Sequence, residues 1–262
     1  MNSMLKKNAL SILWVLLIGI IGVSCVPQRK MMLLQAETRQ DTTTHYFNER
    51  LLSYLIQPGD NLYIKVVSFD EKTTHLFNPL ERTQGGGNIN DQSIYLNSYT
   101  VNDQGDIEFP LAGTIHVQNM TTEQIKEQIQ AVLDEYLKET VLIVKLVNFN
   151  LTMIGEVKRP GQFKVYKPEI NIFEAIAMAG DLTDFADRKE VTIIRQTKTG
   201  SQTTVVDLEK AGILSSDYYY LKPNDIIYVR PLKIKQYGFA TFPYTLIFST
   251  ISTALLLINF FK

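Results

Sequence analysis

Hydrophobic and polar residues alternate with a period of two in "YLIQPGDNLYIKVVSF" (54–69) and again in "LKPNDIIYVRP" (221–231). In the first stretch Leu62, Ile64 and Val66 alternate with Tyr63 and Lys65, the pattern of a half-buried strand. Pro58 presets φ at the first central turn position and Gly59 can take the positive φ of the second, so a tight turn leads into the strand. Pro223, Asn224 and Asp225 repeat that turn chemistry, Asn being tolerant of left-handed φ, and "IIYVR" parallels "NLYIK". Two copies of one turn-plus-strand device predict two small β-containing modules of related design.

Between these stretches the period changes several times. "SYTVNDQGDIEFPLAGTIHV" alternates around "NDQG", a hairpin signal, and predicts strand, turn, strand and a further short strand. "TTEQIKEQIQAVLDEYLK" switches to a helical period, with Ile125, Ile129, Val132, Leu133, Tyr136 and Leu137 on one face and a capping box from Thr121 and Gln124. "TVLIVKLVNF" returns to strand, so residues 51–149 form a mixed α+β module. A second module, 150–232, opens with a hairpin across "KRPG". It continues with a short helix, "INIFEAIAMAGDL", capped by Asn171 and stopped by Gly180, and with another hairpin across "TKTG". The segment 69–97 has no period and three consecutive glycines; stretches of that length without structure are usually functional or disordered.

Both ends of the chain are apolar. Lys6 and Lys7 precede "NALSILWVLLIGIIGVSC", the layout of a secretory signal peptide, although such a run can also be an uncleaved anchor. The protein's one cysteine, Cys25, stands at its end. "GVSC" resembles the lipobox of bacterial lipoproteins, with Gly22 where leucine is usual; cleavage would remove 1–24 and leave Cys25 as a lipidated first residue, of the kind that carries palmitate, followed by a polar tether, 25–50. A single acyl-type anchor holds a protein marginally, at ~0.8 kcal/mol per buried methylene, so a second membrane signal is expected.

The C-terminal segment, 233–262, supplies a candidate. From Gln236 to Phe261 there is no charge, and "YTLIFSTISTALLLINFF" would reach roughly 27 Å as a helix, close to a ~30 Å hydrocarbon layer. A transmembrane helix is the expectation. At about 100° per residue, Thr245, Ser249, Ser252 and Asn259 share an arc of roughly 80°. Leu256 intrudes on that edge, and Thr250 and Thr253 lie off it. The hydroxyls can satisfy the helix's own carbonyls in a plain single-span anchor, or several copies can stand in a ring with the polar edge toward water. A helix lying flat on the interface would need Lys or Arg along its polar face, and there are none.

Composition excludes more than it assigns. Lys plus Arg total 26 against 27 for Asp plus Glu, so nothing suggests a nucleic-acid partner. One cysteine and three scattered histidines give no metal-ligand spacing and no internal disulfide. No glycine loop followed by Lys-Ser/Thr cradles a nucleotide, and "TQGGGNIN" lacks the lysine. The pairs Asp70/Glu71 and Asp134/Glu135 read as solvated surface, because neighbouring side chains point apart. His116 reads as packing or surface, and "DYYY" (217–220) as packing in preference to a sugar-stacking platform. No cofactor and no catalytic residue is expected.

Taken in order, "YLIQPGDNLYIKV", "VNDQGDIEFPLAGTIHVQNMTTEQIKEQIQAVLDEYL", "MIGEVKRPGQFKV", "INIFEAIAMAGDLTDFADRKEVTIIR" and "LKPNDIIYVRP" resemble the polysaccharide biosynthesis/export family of outer-membrane lipoproteins, the Wza type. The resemblance covers 54–231 apart from 69–97. It implies an export domain followed by one β-grasp-like SLBB domain, where larger relatives have two. It also implies a homo-oligomeric ring, commonly an octamer, that carries capsular polysaccharide or exopolysaccharide across the outer membrane, most of the chain lying in the periplasm. In that family a C-terminal helix from each subunit lines the pore, which here places Thr245, Ser249, Ser252 and Asn259 on the lumen. An inner-membrane polysaccharide copolymerase, often a tyrosine autokinase, is the implied partner. The competing reading is a periplasm-facing lipoprotein whose SLBB domain binds a soluble ligand or partner without forming a pore.

Overall fold

The computed structural model of the chain describes residues 31–35, 45–48, 54–69, 74, 76–78, 91–137, 139–197, 199–236 and 244–260. The expected signal peptide, Cys25 and the pair Asp70/Glu71 lie outside them. Two hydrophobic cores are present, one for each expected module, and the fold is mixed α and β.

The first module is built on β1 (Asn61–Val67), paired antiparallel with β5 (Val141–Leu146) along its length and with the two-residue β2 (Tyr99–Thr100) at its start. Leu62, Ile64 and Val66 point into the core with Leu142 and Val144, and Tyr63 and Lys65 face outward, as the alternation predicts. A hairpin of β3 (Asp106–Phe109) and β4 (Gly113–His116) adds Ile107, Phe109 and Ile115. The short helix α1 (Asp91–Leu96) precedes β2, and α2 (Thr122–Leu133) closes the core with Ile125, Ile129 and Leu133. The capping box at α2 forms as read: the Gln124 N–H donates to Thr121 Oγ1 at 3.2 Å and the Thr121 N–H to Gln124 Oε1 at 2.9 Å. Tyr136, expected on the buried face, is exposed beyond the end of the helix.

The "NDQG" turn forms without joining two paired strands. Asn102 Oδ1 accepts the N–H groups of Gln104 and Asp106 at 3.0 and 2.9 Å, so a side chain satisfies the turn. The residues before it are taken by the first strand: Val101 exchanges backbone bonds with Gly59 and Asp60, and β2 registers on β1.

In the second module a five-stranded sheet runs in the order β7–β6–β10–β8–β9. Its strands are β6 (Asn150–Gly155), β7 (Gly161–Lys164), β8 (Ala186–Thr197), β9 (Gly200–Val206) and β10 (Ile226–Pro231). The first and last of them, β6 and β10, lie side by side and parallel, and every other pairing is antiparallel. Helix α3 (Ile172–Met178), capped by Asn171 and Glu174, lays Ile172, Ala175 and Ile176 on the sheet. Gly155 stands at φ +89, where a Cβ would fall 2.0 Å from the Val229 carbonyl oxygen; β10 can approach this closely only because there is no side chain. Residues 31–35 bind this module as a strap. Leu34 N–H donates to the Leu208 carbonyl at 3.1 Å, Gln35 N–H to that of Glu209 at 2.5 Å, and Leu33 packs on the core.

The two "P-x-D" turns fold alike. Gln57 N–H donates to Asp60 Oδ2 and Lys222 N–H to Asp225 Oδ2, both at 2.8 Å, with Gly59 at φ +88 and Asn224 at φ +65. Both aspartates are buried. Burial pushes the Asp60 carboxyl above its ordinary value, against the bonds it accepts from Gln57 N–H and the Tyr54 hydroxyl. Asp225 is held by Arg195, whose Nε and Nη2 reach its two oxygens at 2.9 and 2.6 Å.

One expectation is corrected. The C-terminal segment forms a helix, α4 (Tyr244–Phe260), of 17 residues, which at 1.5 Å per residue is about 25 Å and short of a 30 Å hydrocarbon layer. Among the described residues no helix is long and apolar enough to cross a membrane. Among the described side chains of α4, Phe248, Ile251, Leu255, Leu256 and Phe260 are exposed.

Candidate functional site

The junction "VNFN" (147–150) ties the modules together through both turns. Asn148 Oδ1 accepts the Asn61 N–H at 3.0 Å and its Nδ2 donates to the Gly59 carbonyl at 3.1 Å, while the Asn150 carbonyl accepts the Asn224 N–H at 2.7 Å. Because each turn is held within a residue or two of the other, the outward face of β1 and β5 is set beside β6 and β7.

A cleft of about 540 Å³ opens there, within the usual range for ligand sites, ~300–1,000 Å³. Its floor follows from strand register. Tyr63 stands directly opposite Lys145, and Lys65 opposite Ile143, so these side chains share the outward face. One wall is the 91–97 stretch, with Ser93, Ile94, Tyr95 and Asn97; the other is Lys164, opposite Asn150 in the β6–β7 pair, followed by Val165 and the exposed Tyr166. Tyr99 closes the end. Burial pushes its hydroxyl pKa up to about 12, and its ring lies 5.6 Å from that of Phe109. Among the described residues the lining holds four tyrosines, three lysines, four asparagines and no carboxylate. A concave surface of that composition attracts anions and offers ring faces and amides to a partner that is both hydroxylated and partly apolar.

Sequence reasoning missed this cleft, and also what holds its upper wall. Phe77, in the aperiodic segment, is fully buried and stacks at 6.1 Å on Phe109. Asn78 clasps the unpaired edge of β1, accepting the Val66 N–H at 3.0 Å and donating to the Val66 carbonyl at 2.7 Å. The one available signal was a single "LFN" between polar runs.

The residues singled out beforehand lie elsewhere. Thr245, Ser249, Ser252 and Asn259 are all exposed along α4, and Thr253 Oγ1 donates back to the Ser249 carbonyl at 2.8 Å, the local satisfaction that hydroxyls find in apolar helices. His116 is exposed, with Nδ1 2.7 Å from Asp106 Oδ1, and Asp134 caps the end of α2 at the surface. The three tyrosines of 218–220 pack: Tyr218 lies against the Arg195 guanidinium, and Tyr219 meets Tyr220 edge-on at 4.9 Å.

Comparison with known proteins agrees with the division into two cores. Residues 49–147 match the profile of the family described as polysaccharide biosynthesis/export protein, and residues 150–229 match that of the SLBB domain. The chain is similar to the EPS I polysaccharide export outer membrane protein EpsA of Ralstonia nicotianae, 30% identical over 161 residues that cover 58% of this chain and 40% of the relative. The protein of that name from Ralstonia solanacearum is 29% identical over 138 residues, 51% of this chain and 36% of the relative. The chain thus spans less than half the length of the curated relatives it matches.

Proposed function

The chain belongs to the polysaccharide biosynthesis/export family, and from that membership we propose that it exports capsular polysaccharide or exopolysaccharide through the bacterial outer membrane. The observation that carries the reading is the tandem of an export domain and an SLBB domain, each with its own core, in a chain similar to proteins named as polysaccharide export outer membrane proteins.

In this reading subunits assemble as a ring, an octamer by analogy with the family, and Cys25 is lipidated in the outer membrane. The fold supports one orientation. Leu33 is strapped to the second module, and the eight residues from Cys25 to it reach at most ~29 Å. The turn leading to α4 leaves the same module, where Lys235 pairs with Glu156. The SLBB domain therefore faces the membrane and the export domain lies deeper in the periplasm. Gathered in a ring, the α4 helices turn Thr245, Ser249, Ser252 and Asn259 toward water and their exposed leucines and phenylalanines outward. Hydroxyl and amide linings give sugar hydroxyls weak, exchangeable hydrogen bonds, as conduction requires. The driving force comes from polymer synthesis and an inner-membrane copolymerase. The test is deletion of 239–262: surface polymer is expected to disappear, and undiminished surface polymer contradicts the proposal.

A second reading, a periplasm-facing lipoprotein that binds a soluble ligand without making a pore, is favoured by the absence of a spanning helix among the described residues. It predicts that the same deletion leaves function intact.

A further inference from the structure

We infer that the cleft between the modules is a binding subsite for an uncharged, hydroxyl-rich ligand, a short run of neutral sugar rings. The inference rests on the export reading only in taking the hydroxylated ligand to be a saccharide.

A buried hydrogen-bond acceptor on the cleft wall carries it. Of the four asparagines in the described lining, two are engaged: Asn78 holds the Val66 N–H and carbonyl, and Asn148 holds the Asn61 N–H and the Gly59 carbonyl. The other two are open. Among the described residues nothing donates to Asn150 Oδ1, which is buried, and the Asn97 side chain makes no hydrogen bond. Folded chains rarely leave a buried acceptor empty, because it has given up water and gained nothing in exchange. What fills this one must donate. An ionised carboxylate only accepts, so it leaves Asn150 Oδ1 as it was, whereas a sugar hydroxyl donates to that oxygen and accepts from a neighbouring amide. Charge is the weaker guide, since Lys65 and Lys164 already have partners. Ring faces complete the match. Tyr95 is 60% exposed on one rim and Tyr63 lies half-buried on the floor, and the apolar C–H face of a pyranose lies well on such a ring. Tyr95 and Asn97 belong to the aperiodic segment, which is anchored on the first module at Phe77 and Asn78. That gives the segment a purpose: it sets a sugar-facing wall over an outward sheet face.

The test is a saturation-transfer NMR titration of the full chain, extracted in a detergent without a sugar headgroup, with four probes: maltotetraose, cellotetraose, tetraglycine, and tetraethylene glycol dimethyl ether, which has ether oxygens and no donor. At least one of the two saccharides is expected to bind about tenfold or more tightly than either control, with an affinity that is the same at low and high salt. Asn150→Leu is expected to weaken that binding about tenfold, and Tyr95→Ala about threefold to tenfold. The first variant also separates binding from a structural role. Because Asn150 Oδ1 has no partner among the described residues, an apolar replacement is expected to leave the unfolding midpoint unchanged or to raise it. A lowered midpoint would make the amide structural and overturn the inference. So would equal binding of either control, an affinity that falls steeply with salt, affinity unaltered in both variants, or no binding of either saccharide. The export reading fails separately, by surface polymer persisting in the 239–262 deletion; saccharide binding in that event leaves the cleft standing as the site of a ligand-binding lipoprotein.

Discussion

Replacing Arg195 with methionine should open the sheet of the second module while leaving the first module as it is. Arg195 on β8 is 13% exposed and Asp225, at the entrance to β10, is 0% exposed. The guanidinium grips both carboxylate oxygens at 2.9 and 2.6 Å, and one backbone bond from Lys222 is all that otherwise supports the charge among the described residues. Methionine fills similar space and leaves a buried carboxylate without its cation, a change that costs about 3–5 kcal/mol. Since ~1.36 kcal/mol is a factor of ten, the opening equilibrium of β8 and β10 should rise a hundredfold or more. Amide hydrogen exchange reads this strand by strand. Ile193 and Ile227, paired in the sheet, should exchange at least a hundredfold faster, and the β1 and β5 amides at unchanged rates. Arg195→Met with Asp225→Asn should recover most of the loss, because no charge is then left buried. Less than a tenfold effect of the single substitution would show that the pair does not hold the turn, and the argument from the repeated turn would fail with it.

The remaining predictions concern the segment walls and the link to α4. Phe77→Ala should destabilise the first module by about 3–5 kcal/mol, seen as faster exchange in β1 and α2, because a fully buried ring stacked on Phe109 is removed; an effect below about 1 kcal/mol would mean the aperiodic segment is not anchored there. Burial alone would raise the Glu156 carboxyl, but the Lys235 ammonium and the Thr183 hydroxyl outweigh it and hold it below the usual glutamate range. A lowered carboxyl pKa adds stability that is present above the ordinary value and is lost as pH falls through the folded one. Urea midpoints measured from pH 6 down to pH 3 should therefore fall more steeply for the native chain than for Lys235→Met; parallel curves would show that the pair does not couple the turn to the sheet.

Local chemistry was legible in the sequence, and partnership between distant segments was not. Pro58-Gly59-Asp60 and Pro223-Asn224-Asp225 announce their turns because φ preferences act within four residues, and the caps at Thr121 and Asn171 do so for the same reason. The partner of β2 was not local: "NDQG" supplies a turn, but the backbone bonds of Val101 to Gly59 and Asp60 come from 40 residues earlier and decide the pairing. The cleft was invisible on similar grounds. Tyr63, Lys65 and Lys145 occupy the polar half of an alternation, which in sequence reads as solvated surface, and only strand register and the Asn148 and Asn150 clasps bring them beside Lys164 and Tyr166. The final helix was legible in its extent to within one residue, whereas the spanning length inferred for it was not sustained.

Electron microscopy of the detergent-extracted assembly decides whether the subunits enclose a conduit. Closed rings of identical subunits are expected, with SLBB domains beneath a collar of C-terminal helices around an open bore. Isolated subunits, or helices splayed outward with nothing enclosed between them, would contradict it.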